Sequence, residues 1–174
     1  MKRRRLLAVG AGAVAAAAGI AVAWRQSASP AAADADFWNL SFEQPDGGTL
    51  RMAPLRGHPL LVNFWATWCA PCIKEMPLLD SFHRERQASG WRVVGLAIDN
   101  AAPVREYLAK LPMGFPVGLA GFGGADLSRR LGNSQGGLPF TVVFGADGQA
   151  AVRKLGTVTP AELADWGKRF ARPA

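Results

Sequence analysis

Two cysteines stand three residues apart in Trp68-Cys69-Ala70-Pro71-Cys72, and the chain has no others. They follow the apolar run LLVNFW at residues 60–65, which reads as a central strand buried on both faces. Residues 70–88 read as a long helix. Two cysteines at this spacing on a first helical turn bring their sulfurs close. Cys69 falls at the helix N-terminus, where unpaired N–H groups and the helix dipole stabilise a thiolate and lower the thiol pKa. Pro71 lacks an N–H that a first turn does not need, and it stiffens the motif. Cys72 lies one turn further in and is expected to be shielded. The spacing therefore predicts unequal roles: Cys69 attacks and Cys72 resolves. Other chemistries stay open for the pair. A purely structural disulfide is one, although so small a loop gives little stabilisation in the chain-entropy model. A ligand pair for copper(I), completed by His or Met, is another. A Cys–His nucleophile would need His58 or His83 alongside, and nothing in the spacing suggests it. His58, before Pro59, reads as a turn residue, and His83 as part of the exposed helix face.

The chain has 174 residues, 49% apolar and 19% charged, the profile of one globular domain with an appendage. Two cysteines exclude a disulfide-stapled miniprotein and a four-thiolate zinc site. Two histidines argue against a multi-histidine metal centre. The net charge of +7 misleads. Lys2, Arg3, Arg4, Arg5 and Arg25 lie in residues 1–33 with no acid, which leaves 15 bases against 13 acids, or +2, for the remainder. Only basic pairs, at 129–130 and 153–154, interrupt it. That is not the basic patch a nucleic-acid-binding domain needs.

Residues 1–33 read as an export segment. Lys2–Arg5 is positive, and Leu6–Ala23 is an uncharged run of nine Ala, three Gly and six larger aliphatics. Trp24, Arg25 and a Ser/Ala/Pro stretch follow. That is the order of a secretory signal. Its 18 residues just reach across a bilayer core of about 30 Å. A cleaved signal peptide and an N-terminal membrane anchor with a linker are the two expectations. The run Arg3-Arg4-Arg5-Leu6-Leu7 loosely resembles a twin-arginine signal without its Ser or Thr. Either way, residues 34–174 are expected outside the cytoplasm, where disulfide chemistry is permitted.

The elements that must hold the cysteines follow from pattern. Residues 37–42 read as a strand, Gln44–Gly48 as a turn, and 49–52 as the returning strand. Residues 91–98 form a second buried strand and 103–111 a helix. Residues 115–119 read as a short strand, 121–124 as a loop, and 125–131 as a short helix closed by Gly132. Residues 140–144 and 150–155 form a hairpin about Asp147-Gly148. Thr159, Pro160 and Glu162 spell a capping box for a last helix. A hairpin, then β-α-β-α, then β-β-α, argues for an α/β domain: a central mixed sheet with helices on both faces.

The block Phe64-Trp65-Ala66-Thr67-Trp68-Cys69-Ala70-Pro71-Cys72, between strand and helix, resembles the thioredoxin superfamily. More narrowly it resembles exported TlpA/ResA-like thiol–disulfide oxidoreductases. The similarity runs from about residue 40 to 170 and includes the extra N-terminal β-hairpin, Glu75-Met76-Pro77, VVGLAID at 93–99, and Gly137-Leu138-Pro139-Phe140-Thr141. The resemblance implies a thioredoxin-like fold and makes Cys69 and Cys72 the redox pair. It implies that Pro139 is the cis proline beside the disulfide, and that the backbone of Leu138 pairs with an extended substrate. Trp68, Ala70 and Pro71 become substrate-facing, and Pro77 the proline that kinks the active-site helix. Asn63 stands where thioredoxin has a buried aspartate. An amide cannot relay a proton, so Glu75 becomes the candidate base for Cys72. Against this, Glu75 alone also reads as a solvated helix residue, and Asp99 reads as the end of a strand, with lining of the active-site groove as its alternative. Trp65 reads as core. A peroxiredoxin-like peroxidase fits poorly, because Ala66 occupies the site where that group places Thr.

The resemblance implies reduction of disulfides in exported clients, such as an apocytochrome c or a copper-site protein. Electrons would come from a membrane thiol donor, with the Cys69–Cys72 disulfide as redox centre and no metal or organic cofactor. The protein is expected to act as a monomer on the periplasmic side of a bacterial inner membrane. A copper-handling or partner-binding module using the CxxC pair as ligands is the alternative.

Overall fold

The structure is a computed structural model that describes residues 30–170. The expected export run, Leu6–Ala23, lies outside the described residues. Seven strands form one mixed sheet in the order β2-β1-β5-β4-β3-β6-β7. They are β1 (Ser41–Glu43), β2 (Thr49–Arg51), β3 (Leu60–Trp65), β4 (Arg92–Ala97), β5 (Val117–Leu119), β6 (Phe140–Phe144) and β7 (Ala150–Leu155). The central neighbours β3 and β4 are parallel, as are β4 and β5; every other pairing is antiparallel. Among the described residues, five α-helices pack about the sheet: α1 (Pro30–Phe37), α2 (Ala70–Arg86), α3 (Ala101–Lys110), α4 (Gly123–Arg130) and α5 (Pro160–Arg169).

Strand alternation sorts the core into two layers. Leu61 and Trp65 of β3, Val93 and Ala97 of β4, and Val143 of β6 face one way. There they meet Met76, Leu79 and Phe82 of α2, Val104 of α3, and Leu163 and Trp166 of α5. Leu60, Val62 and Phe64, with Val94, Leu96, Phe140 and Phe144, face the other way, against Phe37 and Trp38 and Leu127 of α4. Helices on both faces and the N-terminal hairpin agree with the sequence reading. Asn63 shares parity with Leu61 and Trp65, so it lies beneath α2.

The start of the domain differs from expectation. Residues 37–40 are not strand: α1 ends at Phe37, and β1 begins only at Ser41. Phe37 and Trp38 are adjacent, yet both are buried in the same layer, which strand alternation forbids. A helix end followed by a turn allows it. Their rings pack on Phe144 at 4.8 and 5.1 Å between centroids. Helix α1 also spans the boundary read at residues 33/34. It is fixed by the buried Asp34, which accepts from Ala150 N at 2.9 Å and Arg153 Nη2 at 2.8 Å. Strand β5 starts at Val117, two residues late, because Pro116 has no N–H for a ladder; its carbonyl still accepts from Gly95 N at 3.1 Å. His83 is half-buried and not on the exposed face. Residues 113–115 fold over that side of α2, with Phe115 6.1 Å from the imidazole and Gly114 N donating to Asp80 at 2.6 Å. That burial lowers the pKa of His83.

Candidate active site

Strand β3 ends at Trp65, and after four intervening residues the chain enters α2 at Ala70. The turn between them is tied to β4 by Asp99, which follows that strand and is buried. Its carboxylate accepts from Thr67 N at 2.9 Å and Thr67 Oγ1 at 2.6 Å, and its other oxygen from Asn100 N at 2.7 Å. Asp99 thus holds the turn from below; it does not line the groove above it. Cys69 is the N-cap of α2, in extended conformation, and its sulfur accepts from Cys72 N at 3.3 Å. Ala70 and Pro71 form the exposed first turn, and Pro77 sits inside the same helix. The two sulfurs are bonded as a disulfide, with Cα atoms 5.2 Å apart.

The cysteines are unequal. Cys69 borders a groove of about 510 Å³ lined also by Trp68, Pro71, Ile98, Ala125 and Leu138. Cys72 has no exposed surface. The opposite wall of the groove is residues 136–138, and the Leu138–Pro139 bond that follows is cis, as the resemblance implied. Pro139 is buried, and its carbonyl accepts from Gly156 N at 2.8 Å. Trp68 is 70% exposed at the rim. Trp68, Cys69, Ala70, Pro71 and Leu138 are therefore brought together at one surface.

Glu75 is brought to the other side of the pair, inside the protein. It lies one helical turn beyond Cys72, on the same helix face, and is buried, not solvated. Oε1 accepts from Asn63 Nδ2 at 2.8 Å and Oε2 from Val158 N at 2.9 Å. Asn63 Nδ2 also donates to Thr141 Oγ1 at 3.0 Å, the residue facing it across β3 and β6. Desolvation raises the pKa of Glu75, against the lowering pull of the Val158 N–H, the Asn63 amide and the Lys154 charge. Lys154 is register partner of Thr141 on β7 and also pairs with Glu162 at 2.6 Å. Thr141, Lys154 and Val158 were not legible as site residues. The available signal was Asn63 itself, since an amide in a wholly buried strand needs partners. Among the described residues, no group of three or more His, Cys, Asp or Glu is placed to hold a metal ion.

Residues 28–166 match the Redoxin family. The chain belongs to this family. Two curated relatives of this Redoxin-family chain are each named thiol–disulfide oxidoreductase ResA. That of Oceanobacillus iheyensis is 33% identical over 76 residues, 43% of this chain and 40% of the relative. That of Bacillus subtilis is 25% identical over 131 residues, 74% of this chain and 70% of the relative. A solved structure of a secreted Mycobacterium tuberculosis disulfide oxidoreductase homologous to Escherichia coli DsbE superposes with TM-score 0.65 at 21% identity, covering 77% of this chain and 98% of that one. The thioredoxin-like fold and the ResA/TlpA-like place in the thioredoxin superfamily are borne out. With the Cys69–Cys72 pair in place, this Redoxin-family chain is a thiol–disulfide oxidoreductase.

Proposed function

We propose that the protein reduces disulfides of exported client proteins, taking electrons from a membrane thiol donor on the periplasmic side of a bacterial inner membrane. The observation that carries this reading is the asymmetry of the pair: one sulfur caps a helix at the edge of a groove, and the other is buried beside a carboxylate. The Cys69 thiolate attacks one sulfur of the client disulfide. That S–S bond breaks, the second client sulfur leaves as a thiolate and takes a proton, and a Cys69–client mixed disulfide forms. Glu75 accepts the thiol proton of Cys72. The Cys72 thiolate then attacks Cys69 Sγ, closing the Cys69–Cys72 disulfide and releasing the first client sulfur into the groove as a thiolate, which takes its proton from solvent, while Glu75 holds the Cys72 proton until the pair is reduced again. The client gains two electrons and two protons in all. A dithiol donor returns the pair to its reduced form and is itself oxidised.

An extended client segment alongside Leu138 would pair with its backbone and set its disulfide over Cys69. Export rests on the charge and apolar order of residues 1–25, and a secreted disulfide oxidoreductase shares the fold. Apocytochrome c and copper-site proteins are the client classes that the family resemblance suggests. The redox-active disulfide serves as the only redox centre in this scheme, and a single chain carries all of it. The test is insulin or client reduction by the purified chain. Cys69→Ser abolishes turnover, and Cys72→Ser accumulates the mixed disulfide, seen by mass spectrometry. Turnover surviving Cys69→Ser overturns the mechanism. A reduction potential near about −270 mV fits a reductase, and one near about −120 mV would make the protein an oxidant.

A further inference from the structure

Between α4 and the cis-proline bond runs a buried polar chain that the exchange mechanism does not use. Ser128, inside α4, and Asn133, just beyond its end, are both buried. Asn133 Nδ2 donates to Ser128 Oγ at 3.3 Å and to the carbonyl of Gly137 at 2.9 Å. Ser128 Oγ donates in turn to the carbonyl of Ala125 at 2.8 Å. Ala125 and Gly137 both line the groove beside Cys69, so the chain ties one wall of the groove to the other from behind. The main chain of Asn133 strengthens the link. Its N donates to the carbonyl of Ser128 at 2.9 Å, and its carbonyl accepts from Gly136 N at 3.0 Å.

Asparagine is a costly choice here for packing alone. Its Oδ1 is buried with no partner among the described residues, and such an oxygen opposes folding. Leucine, of much the same shape, would avoid that cost and would leave the Gly137 carbonyl without its donor. A local rule broken in an otherwise consistent sequence points to function. Peptide geometry shows what the donor achieves. Among the described residues Leu138–Pro139 is the one cis bond, so the Gly137–Leu138 bond is trans. In a planar trans peptide the C=O and the N–H point to opposite sides. With the Gly137 carbonyl turned onto Asn133, the Leu138 N–H is turned away from it, on the side open to the groove that Leu138 lines. That N–H has no partner among the described residues. Backbone N–H groups demand an acceptor, and the backbone carbonyl of an extended segment supplies one whatever its side chains.

We propose that Asn133 is a positioning residue: by holding the Gly137 carbonyl it aims the Leu138 N–H at a backbone carbonyl beside the client cysteine, and so makes the protein favour polypeptide disulfides over small ones. This rests on the exchange reading of Cys69 and on Leu138 as the client's backbone partner, and adds the residue that sets the aim.

The test follows oxidation of the reduced full-length chain by three oxidants. One is a linear peptide disulfide. One is the same peptide with the amides on both sides of the cysteine replaced by trans-alkenes, which keep the shape and remove the carbonyls. The third is hydroxyethyl disulfide, which has no backbone. The wild type is expected to react about tenfold faster with the peptide than with its alkene analogue, the upper range for one hydrogen bond. Asn133→Ala, measured well below its thermal transition, removes about that factor for the peptide and leaves the other two rates within about twofold, so it no longer tells peptide from analogue. Asn133→Asp separates aim from packing, because a carboxyl at that place donates to Gly137 only when protonated. Its ratio of peptide to hydroxyethyl disulfide rates therefore recovers as pH falls. The charged groups around the turn, Asp126 and Arg129 of α4 and Arg153 of β7, keep their charge down to about pH 5, so a recovery above that belongs to the introduced carboxyl. Equal wild-type rates for peptide and analogue, an Asn133→Ala loss shared by hydroxyethyl disulfide, or an Asn133→Asp ratio that does not titrate overturns the role of Asn133 and leaves exchange standing. Failure of the reduced wild type to react with hydroxyethyl disulfide overturns the exchange reading, and the role of Asn133 falls with it.

Discussion

Glu75 occupies a place where ionisation is opposed by burial and helped by two donors and a nearby lysine. Its raised pKa moves a carboxyl toward the working pH of thiol chemistry, where a general base is most effective. Glu75→Gln keeps the shape and removes the titration. The amide fits if Asn63 turns over, presenting Oδ1, which has no partner among the described residues, to the Gln amide, while Thr141 donates its hydroxyl to the same oxygen. Resolution of the mixed disulfide then slows by about a hundredfold near pH 6, at the low end of general-base effects. The two rates converge at high pH, where solvent deprotonates Cys72. Coincident pH–rate profiles would remove the role of Glu75. Stability moves in the opposite sense. A carboxyl whose folded pKa is raised contributes stability below its unfolded pKa and loses it as pH rises through the folded value. Denaturant melts of wild type relative to Glu75→Gln should therefore lose ground between acid and neutral pH.

Glu75 is poised by elements as much as by neighbours. Val158 N, which donates to it at 2.9 Å, is the residue before the N-cap of α5. Thr159 caps that helix in a full capping box with Glu162. Thr159→Ala is expected to cost about 1 kcal/mol, as N-cap losses do, read in a urea melt. It also loosens the turn that delivers the Val158 N–H, so the pKa of Glu75 rises further and the acid limb of the pH–rate profile shifts upward. Thr159→Ser keeps both features. That capping box was legible in the letters, since cap, proline and glutamate act within four residues. So were β3, β6, β7 and the start of α2, where apolar runs and turn residues agree. The link from Val158 to Glu75 was not, because it joins residues 83 apart in sequence through a backbone group that every residue carries. The covering of His83 by residues 113–115 was hidden for a similar reason. Helix periodicity ranks the faces of α2 against solvent, and cannot tell that a later loop returns over one of them.

At the scale of the whole molecule, the sheet separates the chemistry from the brace. Cys72, Glu75 and Asn63 belong to the layer under α2, while Phe37 and Trp38 close the opposite layer against Phe144. The segment 37–42 reads as strand because its aromatics are β-formers. What decides its conformation is distant: a hydrogen bond from Trp38 Nε1 to the carbonyl of Gly148 at 2.9 Å, and the grip of Asp34 on Arg153. Trp38 is almost wholly buried, touching the hairpin turn between β6 and β7 as well as Phe144. Trp38→Ala is therefore expected to cost about 3–5 kcal/mol, the range for deleting a buried aromatic. The denaturant midpoint falls while the slope stays the same, as for a loss of stability without a change in compactness. The rate of exchange per folded molecule, measured well below the transition, should remain that of the wild type. The groove is built from α2, α4 and residues 136–138. Helix α4 shares the layer of Trp38 through Leu127, but the ring and hydrogen-bond partners of Trp38 are Phe37, Phe144 and Gly148, none of which lines the groove. A fall in that rate would mean that β3 and β6, shared by both layers, transmit the loss of packing on one face to the register that sets Asn63 and Thr141 under Glu75 on the other.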